Sequence, residues 1–255
     1  MAHWIRYQYQ GAIGFGKIED SVIEIFSGNL FADPAATGET LPLDAVTVLT
    51  PCQPTKMVAL WNNFRALAEK LNQAIPLEPL YFLKGSNSFH PHREPIRIPA
   101  AYSGKVVYEG ELGIVIGKRC CAVSATDAPD FIFGYTCIND VTAAELLFKD
   151  ANFAQWTRAK NFDTFGVFGP VIATGINPMT LSVQTMLNGQ ERQHYPVSDM
   201  IFPPANLVSL ISHDMTLEPG DVIACGTSIG AGSMKPGSEV SVVIAGIGEL
   251  RNRYE

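Results

Sequence analysis

Apolar and polar positions alternate from the start of the chain. Residues 4–26 divide into "WIRYQYQ", "AIGFGKI" and "SVIEIF", with turns at Gly11 and Glu19-Asp20, and this pattern predicts short strands. The Gly/Pro/Asp/Thr-rich stretch "GNLFADPAATGETLP" then predicts a linker. Together they outline a small β-rich N-terminal domain over residues 1–50, ahead of a larger domain over 51–255. In "NNFRALAEKLNQA" the period changes. Phe64, Leu67, Ala68 and Leu71 recur at i, i+3, i+4 and i+7, predicting a helix capped by Asn62 or Asn63 and limited by Pro76. "SATD" (Ser124–Asp127) and "TAAE" (Thr142–Glu145) fit capping boxes and predict short helices near 125–132 and 143–149. Asn188-Gly189 signals a hairpin, and "DVIACGT" and "EVSVVIAGIGEL" read as further strands. Many strands with few short helices predict an α+β or mostly-β domain, without the regular alternation of a doubly wound sheet.

One strand breaks the apolar pattern. In "VYEGELGIVIG" (Val107–Gly117) the even positions Tyr108, Gly110, Leu112, Ile114 and Ile116 form a core face. The odd face carries Glu109 and Glu111 side by side, directed away from that core. Two adjacent carboxylates repel each other and resist burial, so something must offset them. A divalent cation with hard oxygen ligands does so; a shared proton or a solvated strand face are the plainer alternatives. Further on, the apolar run of "FGYTCINDVTAAE" ends at Asn139-Asp140, where a carboxylate at a strand's end can complete a three-oxygen site. Lys160 in "QWTRAKNFDTFGVFGP" sits in an aromatic segment as a cation for an anionic substrate or a developing enolate; its plain alternative is an exposed loop lysine.

Composition narrows the class. The 255 residues are 47% hydrophobic and 17% charged, enough for a substantial core. A formal charge of −7 argues against nucleic acid as a partner. No apolar run reaches the length of a membrane span, and "MAHWIRYQYQ" lacks the order of a signal peptide. The five cysteines, Cys52, Cys120, Cys121, Cys137 and Cys225, are odd in number and contain no Cys-x-x-Cys pair. They are read as reduced and mostly buried, which fits a cytoplasmic protein.

The blocks "YEGELGIVIGK", "FGYTCINDVT", "QWTRAKNFDTFGVFGPVIATG", "MLNGQERQ", "MTLEPGDVIACGTSIGAG" and "GIGELRN" run in order from about residue 52 to the C-terminus. In these the chain resembles the fumarylacetoacetate hydrolase family. The resemblance implies an α+β fold, a β-rich mixed-sheet roll, and a homodimer. It also implies a site for Mg²⁺ or Mn²⁺ held by Glu109, Glu111 and Asp140, with Lys160 as the catalytic lysine and Thr227 and Lys84 binding substrate. The implied substrate is a small 2-oxo acid or β-dicarbonyl carboxylate. The implied chemistry is C–C hydrolysis, decarboxylation or isomerisation through an enolate for which the divalent ion is the electron sink.

The chain departs from the family at three places. Hydrolytic members carry a His–Glu pair on the early helix that activates water; here the positions are Leu67 and Lys70, with Glu69 about 100° away around the helix. Ala144 stands where many relatives have arginine, which suggests a differently shaped or less anionic substrate end. Ser228 stands where proline is usual. Three explanations follow: a substitute base such as His90 or His92 in "FHPHREP", a reaction that needs no activated water, or a site that binds metal and oxo acid but has lost hydrolysis. Asp163, Trp156, Phe162, Phe165 and Phe168 are expected to support the site and core.

Overall fold

The computed structural model describes residues Met1–Glu255. Its frame is a twelve-stranded sheet. The first hairpins supply β1 (Ala2–Tyr9), β2 (Ala12–Glu19), β3 (Val22–Asn29), β4 (Ala32–Pro42) and β5 (Thr47–Val48). The rest of that sheet is β6 (Met57–Trp61), β7 (Leu80–Lys84), β8 (Phe89–His90), β10 (Gly110–Ile116), β11 (Ile132–Asp140), β13 (Gly166–Thr174) and β16 (Val222–Ala224). Most neighbours are antiparallel, but β16 with β6 and β13 with β8 are parallel, so the sheet is mixed. A three-stranded sheet joins β9 (Val106–Tyr108), β12 (Thr142–Ala143) and β17 (Gly232–Met234). A four-stranded sheet joins β14 (Ser182–Leu187), β15 (Gln190–Pro196), β18 (Glu239–Ile244) and β19 (Gly248–Arg253). Helices are few: α1 (Arg65–Lys70), α2 (Ala144–Leu147), α3 (Trp156–Lys160) and α4 (Pro204–Asp214). This is the strand-rich α+β architecture the sequence predicts.

The strands of residues 1–50 are β-hairpins as expected, and β1 hydrogen-bonds to β13, so they extend the large sheet. The stretch read as a linker is instead β4, eleven residues paired with β3. Its Gly and Pro are absorbed by two register shifts in that pairing, where the ladder gives up regular spacing.

The strand "VYEGELGIVIG" also differs from expectation. It breaks at Glu109 into β9 and β10, and every residue of β10 is buried. Leu112, Ile114 and Ile116 join the main core with Val183, Val242 and Leu207, while Val115 packs on the other face with Met57, Phe168 and Ala224. Both faces of the sheet are covered, so alternation there does not separate core from solvent.

The early helix is shorter than its periodicity suggests. Neither asparagine caps it. The Asn63 amide turns inward to donate to the Cys225 carbonyl at 2.9 Å, and its oxygen accepts from Phe202 N–H. Asn62 adopts φ 57° and donates to the Ala74 carbonyl. Asp199, distant in sequence, accepts from Ala66 N–H at 3.0 Å and satisfies that end of α1. Asn72, at φ 52°, follows the helix and closes it in the left-handed region.

The two capping-box segments part company. Ser124 Oγ accepts from Asp127 N–H, but the chain continues as a 3₁₀ turn over Ala128–Phe131. Thr142 lies in β12 and donates to the Asp140 carbonyl, so it caps nothing, although a four-residue helix does follow. The Asn188-Gly189 hairpin forms as expected, with both residues at positive φ.

Candidate active site

The break at Glu109 creates the site. Gly110 pairs with Asn139, and Asp140 N–H donates to the Glu109 carbonyl at 2.9 Å, so Glu109 and Asp140 face each other across the strand ends. Glu111 follows two residues on, inside β10, and its carboxylate approaches the other two. One carboxylate oxygen from each of Glu109, Glu111 and Asp140 lies within 4.8 Å of the others. Glu111 and Asp140 are fully buried, whereas Glu109 keeps 19% of its side chain exposed.

Two lysines face the trio. Lys160, at the end of α3, donates from Nζ to Glu109 Oε2 at 2.6 Å and to Asp140 Oδ2 at 2.5 Å. Lys84, at the end of β7, donates to Asp140 Oδ1 at 2.5 Å and to the Lys160 carbonyl at 2.6 Å. The Lys84 ammonium is thus occupied by protein, and its direct partners are Asp140 and the backbone of α3. Asn161 ties the two lysine-bearing segments together. Its oxygen accepts from Gly85 N–H, and its amide donates to the Leu83 and Thr157 carbonyls. Asp163 accepts from Asn87 and holds the same loop.

Thr227 reaches the site from the loop after β16. Its hydroxyl donates to the Gly110 carbonyl at 2.9 Å and accepts from Gln193 Nε2 at 2.8 Å. Gly226 N–H donates to Glu111 Oε2 at 2.8 Å. Gln193 also accepts from Gly110 N–H, and Tyr195 donates to the Gly110 carbonyl. Gln193 and Tyr195 escaped the sequence reading. They are the inward positions of an otherwise exposed β15, so alternation after the Asn-Gly turn was the available signal.

The electrostatics are those of a buried cluster short of positive charge. Burial pushes the Glu109 carboxyl up, with Lys160 opposing and Asp140 adding to the rise. Burial, reinforced by Asp140, pushes Glu111 well above the ordinary carboxylate range. Burial would raise Asp140 too, but Lys160 and Lys84 together hold it low. Burial lowers Lys84 and works against the Lys160 ammonium, yet the surrounding carboxylates leave Lys160 raised. With all three acids ionised, the two ammoniums leave one negative charge uncompensated. Hard oxygen donors with that deficit, set within one ion's reach, fit a divalent cation such as Mg²⁺ or Mn²⁺.

The other sequence candidates lie elsewhere. His90 is alongside Val167 in β8, its Nε2 buried without a partner. His92 accepts from Arg251 N–H through Nδ1 and lines a separate cavity with Ile5 and Val48. Leu67 packs partly buried against the main core, and Lys70 is exposed. The five cysteines are free, four of them buried and Cys121 exposed.

Fold and site together define a strand-rich α+β protein with a buried acidic cluster suited to a divalent metal. The chain belongs to the fumarylacetoacetate hydrolase family. The family description "Fumarylacetoacetate (FAA) hydrolase C-terminal" matches residues 56–255, and "Rv2993c-like, N-terminal" matches residues 2–51. The chain is similar to the mitochondrial oxaloacetate tautomerase FAHD1 of Arabidopsis thaliana, at 37% identity over 78% of this chain and 90% of that protein. Its structure resembles 2-hydroxyhepta-2,4-diene-1,7-dioate isomerase from Mycobacterium marinum, with TM-score 0.91 and 37% identity over 100% of this chain and 98% of the other. It also resembles maleylpyruvate hydrolase from Sphingobium sp. SYK-6 in complex with manganese(II) and pyruvate. There the TM-score is 0.80, with 26% identity over 99% of this chain and 98% of the other.

Proposed function

We propose that this chain is a Mg²⁺- or Mn²⁺-dependent isomerase that interconverts the keto and enol forms of a small 2-oxo acid. One observation carries the reading. The charge cluster of Glu109, Glu111, Asp140, Lys84 and Lys160 is intact, while α1 presents Leu67 and Lys70 instead of a water-activating pair. Hydrolysis needs an activated water; moving a proton next to a carbonyl does not. The tautomerase and isomerase among the relatives support the same choice.

A divalent ion bound by Glu109, Glu111 and Asp140 would supply an electrophile for the carbonyl and carboxylate oxygens of an oxo acid. The protein's own groups bind and orient the substrate, and the proton that moves between carbon and oxygen exchanges with water. Lys160 Nζ, ion-paired with Glu109 and Asp140, serves as an ammonium that hydrogen-bonds to the substrate oxygen gaining negative charge. Lys84 fixes Asp140 and the end of α3, and so sets where Lys160 points. The Thr227 hydroxyl can turn from the Gly110 carbonyl to a substrate carboxylate while Gln193 keeps hold of its oxygen. The reading includes a homodimer, as the family resemblance implies, and a cytoplasmic location, which the five free cysteines support.

Enol oxaloacetate diluted into buffer with the Mn²⁺-loaded protein tests the reading through decay of the enol absorbance. The expected result is accelerated decay, with Lys160→Met losing roughly a hundredfold of the acceleration. Rapid cleavage of an acylpyruvate, followed by NMR, with no effect on enol decay would overturn it in favour of a hydrolase. Rapid loss of CO₂ in place of tautomerisation would overturn it in favour of a decarboxylase.

A further inference from the structure

Beside the charge cluster lies a cleft of about 490 Å³ lined by Trp61, Leu80, Tyr81, Phe82, Phe148 and Trp156, with no charged residue in its wall. That volume is in the range of small-molecule pockets. Two elements build both the cleft and the site. On β7, Phe82 and Lys84 are two residues apart and share a face: Phe82 lines the cleft, and Lys84 meets Asp140. On α3, Trp156 and Lys160 are four apart and share a face: Trp156 lines the cleft, and Lys160 meets Glu109 and Asp140. The cleft and the cluster adjoin at the Phe82 ring, whose centre lies 5.2 Å from Lys160 Nζ.

We infer that this cleft receives an apolar substituent, an aryl group above all, on the 2-oxo acid whose polar end occupies the charge cluster. The inference rests on the function proposed above and names its substrate class. The cleft walls suit a flat ring. Phe82 and Trp156 are stacked at 4.8 Å and 15°, and Trp61 meets Trp156 edge-on at 6.0 Å. The Tyr81 hydroxyl is committed to Asp214 at 2.9 Å, which leaves its ring for the cleft. A carboxylate held inside the cleft would meet carbon with no cation among the lining residues, a costly burial. Ala144, on α2 next to α3, supplies no cation either.

Binding to the Mn²⁺-loaded protein tests this without relying on turnover. Calorimetric titration with pyruvate and with phenylpyruvate compares the polar end alone with the polar end plus a ring. Phenylpyruvate is expected to bind tighter by roughly tenfold, from burial of the ring. It should also change the fluorescence of a chain in which two of the three tryptophans, Trp61 and Trp156, line the cleft. Leu80→Glu, at a position already 41% exposed, should collapse the ratio between the two ligands, and Phe148→Ala should reduce it. Equal affinities in the unmodified protein, or a ratio indifferent to both substitutions, would overturn the inference and leave the isomerase reading standing. Binding of neither compound in the presence of Mn²⁺ would overturn both.

Discussion

Gly110 separates Glu109 from Glu111, and the reason is spatial. A Cβ at this position would meet Thr185 Oγ1 at 2.0 Å and Gln193 Oε1 at 3.2 Å. Both groups belong to the hairpin that braces the strand, since Gln193 and Tyr195 bond the Gly110 backbone. The two glutamates can therefore converge only where the strand between them has no side chain. Gly110→Ala is predicted to destabilise the protein by about 1–3 kcal/mol, as overpacking does. It should weaken Mn²⁺ binding as well, because the shift falls between two of the acids. Thr185→Ala removes the atom at 2.0 Å but leaves a Cβ at 3.3 Å, so the double variant should recover part of the loss. Urea unfolding of the single and double variants checks this; no recovery would mean that the contact is not the cause.

At the scale of elements, what was legible depended on how local the physics is. The Asn188-Gly189 turn was legible because both residues adopt the positive φ that the turn needs. The acids were legible because like charges two residues apart in an apolar run demand an explanation. Their convergence was expected from the family resemblance and not from spacing alone, because it depends on Gly110 pairing with Asn139, a register that sequence spacing does not contain. The helix over "NNFRALAEKLNQA" was overextended because Asn62 and Asn63 have tertiary partners that their sequence does not reveal. The strand at Ala32–Pro42 was missed because its neighbour β3 stabilises residues with poor strand propensity. Helix α4 also went unread, although Leu207, Val208 and Ile211 lie on its buried side and Pro204 suits its first turn.

At the scale of the whole molecule, the sheets converge on one buried charge cluster. The twelve-stranded sheet brings Glu111, Asp140 and Lys84, the four-stranded sheet brings Gln193 and Tyr195, and α3 brings Lys160. Such a cluster is costly to bury when its charges do not balance, and an added divalent cation offsets the excess of carboxylate charge. The homodimer proposed for this chain predicts sedimentation at twice the 27.7 kDa chain mass; a single-chain mass at micromolar concentration would contradict it.

Calorimetric titration of Mn²⁺ into the unmodified protein and into Glu111→Gln tests the central claim most directly. Glu111 is 1% exposed, and the substitution keeps its shape while removing one ligand charge. The account predicts one Mn²⁺ per chain and binding weakened by at least roughly tenfold in the variant. Equal affinity in the two proteins, or no binding in either, would contradict it.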